Sequence, residues 1–263
     1  MPNKTRSDMR YFLHMAYNGR NYFGWQVQPD RSTVQEKMES CFSALFREKV
    51  AVTGAGRTDT GVHASDFYAH FDTEIPLSED KKGWLHRINA FLPEDIAVYD
   101  LIPVRPEAHA RFDATSRTYR YRVCCDKAPF ELDSAYRIFY RPDVEAMNRC
   151  ASLLPEYADF TSFSKLHTQT KTNLCKISRA EWREEGNLLV FEITADRFLR
   201  NMVRAIVGTL LDVGRGKMDE AGFRHLIEAK DRCQAGTSVP AHALCLTRIT
   251  YPEGIFMPTP PEP

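Results

Sequence analysis

The spacing of apolar and polar residues along the chain predicts strands and helices arranged in two halves of similar plan. Apolar side chains at every second position are typical of half-buried strands, whereas helices show a period near 3.6 residues. The pattern predicts strands at 10–17, 49–53, 66–72, 96–104, 115–125, 173–184, 188–196 and 244–251. It predicts helices at 33–46, 81–91, 143–154, 198–213 and 219–229.

The first predicted helix, 33–46, has a recognisable start signal at its N-terminus. Ser32 or Thr33 would cap its N-terminus, and Glu36 follows Thr33 at the spacing of a capping box.

The loop before this helix is unusually aromatic, and such a loop either grips a ligand or caps a core. Its aromatic residues are Tyr17, Tyr22, Phe23 and Trp25.

The predicted helix at 198–213 carries basic side chains beside an apolar stripe. Arg200 and Arg204 lie four positions apart on its flank. Arginines at the edge of a core helix usually keep their charge in water, but two that border a cleft could hold a carboxylate or a phosphate.

The composition narrows the class of protein. Lys plus Arg number 35 and Asp plus Glu number 35, which argues against a wholly polybasic surface. Two stretches are basic nonetheless: residues 105–122 hold five arginines against two carboxylates, and residues 197–217 hold five basic residues against Asp212 alone. These stretches suit either a confined groove for a polyanion or solvated faces.

Cysteine usage and hydropathy suggest where the protein works. Seven scattered cysteines without a C-x-x-C pair indicate neither a disulfide framework nor a zinc site, and they suit a reducing compartment. No apolar stretch approaches the roughly 18 residues of a membrane span, and the first ten residues are polar. We therefore expect a cytoplasmic protein with no membrane partner.

The segment 54–64 concentrates the candidate chemistry. It places Gly54, Gly56 and Gly61 around Asp59, with Arg57 beside it. Glycine allows close backbone approach and unusual φ, so the loop could hold a carboxylate in a cleft. The endings of a P-loop and of a dinucleotide fingerprint are both missing. On residue types alone, a structural Arg57 to Asp59 pair and an active site are equally good interpretations.

A metal site is a third interpretation of the same region. Asp59, His63, Asp66, His70 and Asp72 fall within fourteen positions, and the last three would share one face of a strand. Nothing in the spacing fixes a coordination number, and such residues more often face solvent. A metal-dependent phosphohydrolase is therefore the weaker hypothesis.

Seven blocks, which occur in order and span nearly the whole chain, resemble the tRNA pseudouridine synthase A family. Any one block is weak evidence, but seven in order are specific. The blocks are Tyr17-x-Gly19-x-x-Tyr22-x-Gly24-Trp25-Gln26, Thr33-Val34-Gln35, Gly54-Ala55-Gly56-Arg57-Thr58-Asp59-x-Gly61-Val62-His63-Ala64, Ala110-Arg111-Phe112, Arg117-x-Tyr119-x-Tyr121, Asp159-Phe160-Thr161-Ser162-Phe163 and Met202-Val203-Arg204-x-Ile206-Val207-Gly208.

This resemblance implies an α+β fold with a mixed, mainly antiparallel central sheet flanked by helices. Two similar halves would enclose the active-site cleft. The N-terminal half, 8–104, would carry the catalytic Asp loop, and the C-terminal half, 105–252, would carry the Tyr strand and the Arg helix. A proline-rich tail, 253–263, would follow, and we expect it to be unstructured.

The resemblance also implies an isomerase that makes pseudouridine from uridine at positions 38 to 40 of the tRNA anticodon stem-loop. It would act as a homodimer, without metal or organic cofactor. Asp59 would be the nucleophile, Tyr119 would stack on the target uracil, and Arg204 would pair with Asp59. The remaining residues would bind substrate, namely Arg57 and Leu244 in the pocket, and Lys165, Arg111 and Arg200 on RNA phosphates.

One departure and one rival interpretation accompany this resemblance. The family usually has Pro-Ala-x-Gly-Leu where this chain has Pro240-Ala241-His242-Ala243-Leu244, so the resemblance does not determine the backbone conformation beside the base pocket. The rival is a non-catalytic RNA-binding module in which Asp59 merely braces Arg57. A glycine-enclosed acid argues against it, because RNA binding alone does not need one.

Overall fold

A computed structural model of the chain describes residues 9–165 and 172–257. These residues form two compact units. Unit 1 holds residues 9–115 together with 249–257, and unit 2 holds residues 116–165 and 172–248. The sequence-based division between 104 and 105 therefore lies before the point at which the chain leaves unit 1, and the chain returns to unit 1 near its end.

Unit 1 is an antiparallel sheet with two helices. Its central strand β1 pairs with β3 on one side and β4 on the other, and the short β2 pairs with β3. The elements in chain order are β1 (Met9–Tyr17), α1 (Val34–Phe46), β2 (Thr53–Gly54), β3 (His63–Thr73), α2 (Lys81–Phe91) and β4 (Ile96–Pro103).

Unit 2 contains a second set of paired strands and three helices. The strand order is β9, β5, β8, β7, and β8 runs antiparallel to both of its neighbours, while the short β6 runs parallel to β5. The elements are β5 (Ser116–Cys124), β6 (Tyr136–Arg137), α3 (Val144–Ala151), β7 (Ile177–Glu185), β8 (Leu188–Ala195), α4 (Met202–Gly214), α5 (Glu220–Ala229) and β9 (Leu244–Thr250), and the last two residues of β9 belong to unit 1.

The predicted fold class is confirmed, since the strands are mixed and mainly antiparallel and five helices accompany them. Predictions with local signals were the most accurate. Thr33 caps α1 through a full capping box with Glu36, because each side chain bonds to the backbone N–H of the other residue. Helix α2 has the predicted bounds.

Several predicted elements were wrong in extent. The strand expected at 173–184 begins only at Ile177, and the helix expected at 143–154 ends at Ala151. The strand expected at 49–53 is reduced to Thr53–Gly54. Helix α4 begins at Met202 rather than 198, because Asn201 takes a left-handed conformation with φ 65°. The chain after Pro252 was expected to be unstructured, yet Ile255 is buried in a short 3-10 turn. The prolines of that tail, from residue 258 onward, lie outside the described residues.

In each unit, an asparagine side chain is hydrogen-bonded to the backbone of the edge strand. Asn89 of α2 exchanges two hydrogen bonds of 2.8 Å with the backbone N–H and carbonyl of Val98 in β4. Asn148 of α3 accepts from the N–H of Trp182 in β7 at 2.7 Å and donates to the carbonyl of the same residue at 3.0 Å. These amides satisfy edge groups that would otherwise be available to another strand.

The core of unit 2 is built around α4. Eleven residues of this 13-residue helix are buried, so it is apolar on nearly all sides.

No helix in residues 9–165 or 172–257 has the length and apolar composition needed to cross a membrane.

Candidate active site

Asp59 lies in a turn between β2 and β3 whose backbone is fixed at both ends. The Ala55 N–H donates to the carbonyl of Tyr68 at 2.8 Å, and the Val62 N–H donates to the carbonyl of Asp59 at 3.1 Å. Asp59 is half-buried, and Arg57 is exposed. The turn therefore holds one carboxylate in a defined position near the surface.

The aromatic loop before α1 contacts this turn directly. The Trp25 N–H donates to the Thr58 carbonyl at 3.3 Å, and the Gly61 N–H donates to the Tyr22 carbonyl at 3.2 Å. Gly24 has φ 87°, and a Cβ there would collide with the Thr58 carbonyl. Only glycine allows this approach, which explains the Gly24-Trp25 pair.

Buried hydroxyls and rings complete the support of the turn. The hydroxyls of Tyr17 and Thr58 are hydrogen-bonded at 2.9 Å and buried. Trp25 packs on Phe67, with ring centroids 4.3 Å apart, and covers Gly54 so closely that a Cβ there would lie 2.5 Å from the indole ring. Of the two sequence-based interpretations of this loop, the structure favours capping over gripping, since Tyr17, Tyr22 and Trp25 are buried.

Asp95 supports the aromatic loop and was missed by the sequence analysis. Its carboxylate accepts from the Tyr22 hydroxyl at 2.5 Å and from the Asn21 amide at 3.1 Å. Burial raises the pKa of Tyr22, and the neighbouring Asp95 carboxylate raises it further. The contact joins residues more than 70 positions apart, and no local pattern in the sequence marks it.

Tyr119 and Tyr121 share a face of β5 but differ in burial. Tyr121 is fully buried, and its hydroxyl donates to the carbonyl of Pro240 at 2.9 Å. Burial raises the pKa of Tyr121. Tyr119 is half-buried, and its ring meets Phe198 edge to face with centroids 5.1 Å apart. Tyr121 is therefore a core residue, and Tyr119 is the one whose ring is partly accessible.

Arg204 lies in the first turn of α4 and is tied to the chain near residue 239. Its Nε donates to the carbonyl of Val239 at 2.7 Å, and the Val239 N–H donates to the Arg204 carbonyl at 3.2 Å. Arg232, which gave no sequence signal, holds the same loop by donating to Ser238 Oγ at 2.9 Å. These bonds fix the plane of the Arg204 guanidinium and the loop that leads to Pro240.

Arg200 and Lys165 lie next to each other on the surface of unit 2. The Lys165 N–H donates to the Arg200 carbonyl at 3.2 Å, and both side chains are exposed. The prediction that Arg200 belongs to the long helix was wrong, because the helix begins two residues later. Arg200 and Arg204 are therefore not neighbours on one helical face.

Leu244 and the departure beside it are readily accommodated. Leu244 is buried and begins β9. Ala243 ends a short 3-10 turn, Ala241–Ala243, and its φ is not positive. Alanine in place of the usual glycine thus imposes no backbone strain at this position.

Three of the residues considered for a metal, namely Asp66, His70 and Asp72, make contacts within the fold. Asp66 binds the His14 ring at 2.7 Å and the Ile249 N–H at 2.8 Å, and Asp72 binds Arg10 at 2.7 Å. His70 accepts from the Ala110 N–H at 3.1 Å. Within the described residues, no three His, Cys, Asp or Glu side chains are grouped as metal ligands.

The predicted site residues are divided between the units. Asp59, Arg57 and Arg111 belong to unit 1. The others belong to unit 2, namely Tyr119, Arg204, Lys165, Arg200 and Leu244.

Comparison with known proteins gives consistent matches. A family model described as tRNA pseudouridine synthase matches residues 157–252. The chain is 58% identical over 247 residues to tRNA pseudouridine synthase A of Parabacteroides distasonis, covering 94% of this chain and 98% of the relative. It is 56% identical over 250 residues to the protein of the same name in Bacteroides thetaiotaomicron, covering 94% and 92%. The Bacillus subtilis protein of that name is 40% identical over 247 residues, covering 92% and 99%.

Proposed function

The chain belongs to the tRNA pseudouridine synthase A family, and from this premise we propose that Asp59 is its catalytic carboxylate. As a member of the family, the protein is an isomerase that converts uridine in tRNA to pseudouridine. The observation that supports the role of Asp59 is its turn. Backbone bonds, a buried hydroxyl pair and the aromatic loop all hold this one half-buried carboxylate in place.

The reaction breaks the bond between N1 and C1′, rotates the base and joins C5 to C1′. It involves no net redox change and no hydrolysis, so we propose that it proceeds without metal or organic cofactor. A carboxylate can attack C1′, add to C6 of the base, or stabilise the electron-poor sugar while a proton leaves C2′. Each route requires an ionised carboxylate, and a guanidinium beside it would stabilise its negative charge.

We propose Arg204 as that guanidinium, with Arg57 holding the nucleotide. The support for Arg204 is its bond to the Val239 carbonyl, which orients the guanidinium before substrate binds. We propose that Tyr119 stacks on the uracil with its partly accessible ring and that Leu244 adds an apolar wall. A stacking surface offsets part of the few kcal/mol that it costs to take a base out of its helix.

We further propose that Lys165, Arg200 and Arg111 contact phosphates. All three are exposed cations, and Lys165 and Arg200 lie side by side. Phosphate contacts position the RNA without reading its sequence. The proposed substrate is uridine at positions 38 to 40 of the anticodon stem-loop, and the proposed active form is a cytoplasmic homodimer.

The test of Asp59 is replacement by asparagine. Asp59→Asn should fold and bind tRNA as the parent protein does but should form no pseudouridine from a transcript labelled in uracil. Asp126→Asn is the matched control, since that carboxylate is exposed and paired with Arg141. Full turnover by purified Asp59→Asn would disprove the assignment.

Two additional arms test the rest of the proposal. Turnover that survives a chelator would speak against the metal-dependent hypothesis, and mapping of the product would show whether positions 38 to 40 are modified. Arg204→Ala should lower the single-turnover rate more than tRNA affinity. A uniform loss of affinity with a normal rate would instead make Arg204 a phosphate contact.

A further inference from the structure

The segment 108–113 of unit 1 is held by side chains that bind its backbone. His70 Nδ1 accepts from the Ala110 N–H at 3.1 Å. His109 Nδ1 accepts from the N–H groups of Arg111 at 3.1 Å and Phe112 at 3.4 Å. Three consecutive N–H groups are therefore bound by two imidazole nitrogens, which leaves the segment little conformational freedom.

Other side chains bind the same segment from its remaining sides. The Tyr251 hydroxyl donates to the Ala110 carbonyl at 2.6 Å, and Arg10 donates to the Ala108 carbonyl at 2.9 Å. The Asp113 carboxylate accepts from the His109 N–H at 2.7 Å. Arg10 is itself fixed by two bonds of 2.7 Å to Asp72.

Both histidines act as acceptors at Nδ1, so both rings must be neutral with the proton on Nε2. The environment favours this form. Burial, together with the nearby His109 and Arg10, lowers the pKa of His70 to about 4. Burial also lowers the pKa of His109, with Arg10 as the next cause.

The rigid segment displays one aromatic ring and one cation to solvent. Phe112 is 74% exposed, although its backbone is fixed. Its ring lies 4.2 Å from the His109 ring, centroid to centroid, and the Arg111 guanidinium carbon lies 5.8 Å from its centroid. Burial in the fold cannot account for an exposed phenylalanine held in this way.

We propose that Phe112 is a stacking platform for an unpaired base of the tRNA, and that His70 and His109 are positioning residues that hold Phe112 and Arg111 ready for the RNA. This proposal deepens the proposed function, on which it rests. An exposed aromatic face with a neighbouring cation suits a base and its phosphate. Since the backbone is already ordered, binding should cost little additional conformational entropy.

The first test replaces the ring. Phe112→Leu should weaken binding of an unmodified anticodon stem-loop transcript by about fivefold to a hundredfold, the range that one stacked base contributes, whereas Phe112→Trp should keep it. At saturating RNA the kcat of Phe112→Leu should be normal, so the defect should appear in KM. Phe130→Leu is the matched control, because Phe130 is 100% exposed in unit 2.

The second test concerns the histidine brace. His109→Asn can keep an acceptor near the position of Nδ1 and should bind RNA nearly as the parent does, while His109→Leu should weaken binding as Phe112→Leu does. The double variant should be no weaker than either single variant, because both changes remove the same contact. Additive losses would show that the two residues act separately and would overturn the positioning role.

The outcomes separate this proposal from the function on which it rests. If the parent protein makes pseudouridine but Phe112→Leu binds RNA normally, only the stacking proposal fails. If the parent makes no pseudouridine, the proposed function fails first. If Phe112→Leu converts a dimer to a monomer in sedimentation and loses affinity only for that reason, Phe112 contacts a second copy of the chain, and the proposal is wrong.

Discussion

Substituting Tyr119 and Tyr121 in parallel should separate substrate stacking from core packing. Tyr121 is 0% exposed, so Tyr121→Ala should lower the free energy of unfolding by about 3–5 kcal/mol, the usual cost of a large aromatic cavity. Tyr121→Phe removes the bond to the Pro240 carbonyl and should cost about 1–3 kcal/mol if that carbonyl stays unpaired.

Tyr119 should behave differently because its ring is only half-buried. Its ring meets Phe198 edge to face, a contact worth about 0.5–1.5 kcal/mol beyond the area that it buries. Because a half-buried ring removes less apolar surface from water than a fully buried one, Tyr119→Ala should lower the melting temperature less than Tyr121→Ala does. It should weaken tRNA binding by about 1–3 kcal/mol through lost stacking, and Tyr119→Phe should keep the affinity.

Thermal melts, tRNA affinity and single-turnover rates on all four variants would check this pair of predictions. Normal binding with a slow rate for Tyr119→Phe would show that the hydroxyl helps to move a proton. If Tyr119→Ala lost as much stability as Tyr121→Ala while its rate and affinity were normal, Tyr119 would be a core residue and the stacking role would be refuted.

Three other perturbations follow from specific contacts. Asn89→Ala and Asn148→Ala should each lower the free energy of unfolding by about 2–3 kcal/mol in urea melts, since each leaves a strand N–H and carbonyl unpaired. Normal stability would mean that water replaces the amide. The folded-state pKa of His70, about 4, lies below the usual 6.5, so the unfolded chain binds the proton more tightly and stability should fall as pH drops from 6.5 towards 4. His70→Asn should make the free energy of unfolding less dependent on pH between 6.5 and 4, even though Asp72, Asp113, His109 and Arg10 lie nearby. An unchanged dependence on pH would show that His70 is not its cause. Gly56→Ala should fold normally but turn over tRNA slowly, whereas Gly54→Ala should be poorly folded, as circular dichroism and activity would show.

Elements with local determinants could be predicted from the sequence. The capping box at Thr33 and Glu36 lies within four positions, and it gave the start of α1 correctly. Helix α4 shows the limit of this approach. Leu199 and Arg200 continue the helical pattern, but the Asn201 amide donates to Ser238 Oγ at 2.6 Å, and the backbone turns there. That partner lies 37 positions away, beyond the reach of a periodicity argument.

The candidate site shows the same division between local and distant causes. The segment 54–64 stood out because glycines surround an acid, which is a local pattern. Its support is distant, since Tyr17 lies 41 positions from Thr58, and Asp95 lies 73 positions from Tyr22. The sequence thus indicated which carboxylate to consider, whereas the structure shows how its turn is held.

Gly54 and Gly56 look equivalent in the sequence, but the fold explains only the first. A Cβ on Gly54 would meet the indole ring of Trp25 at 2.5 Å, so packing within unit 1 requires glycine there. A Cβ on Gly56 would meet nothing within 4 Å, and its φ is not positive, so neither packing nor backbone geometry requires glycine at this position. Alanine at this position would lower the conformational entropy of the unfolded chain, and Gly56→Ala should therefore stabilise the fold by about 0.4–1 kcal/mol. We therefore expect substrate to approach the backbone at Gly56, three residues from the proposed nucleophile, so that Gly56→Ala keeps its stability but loses turnover.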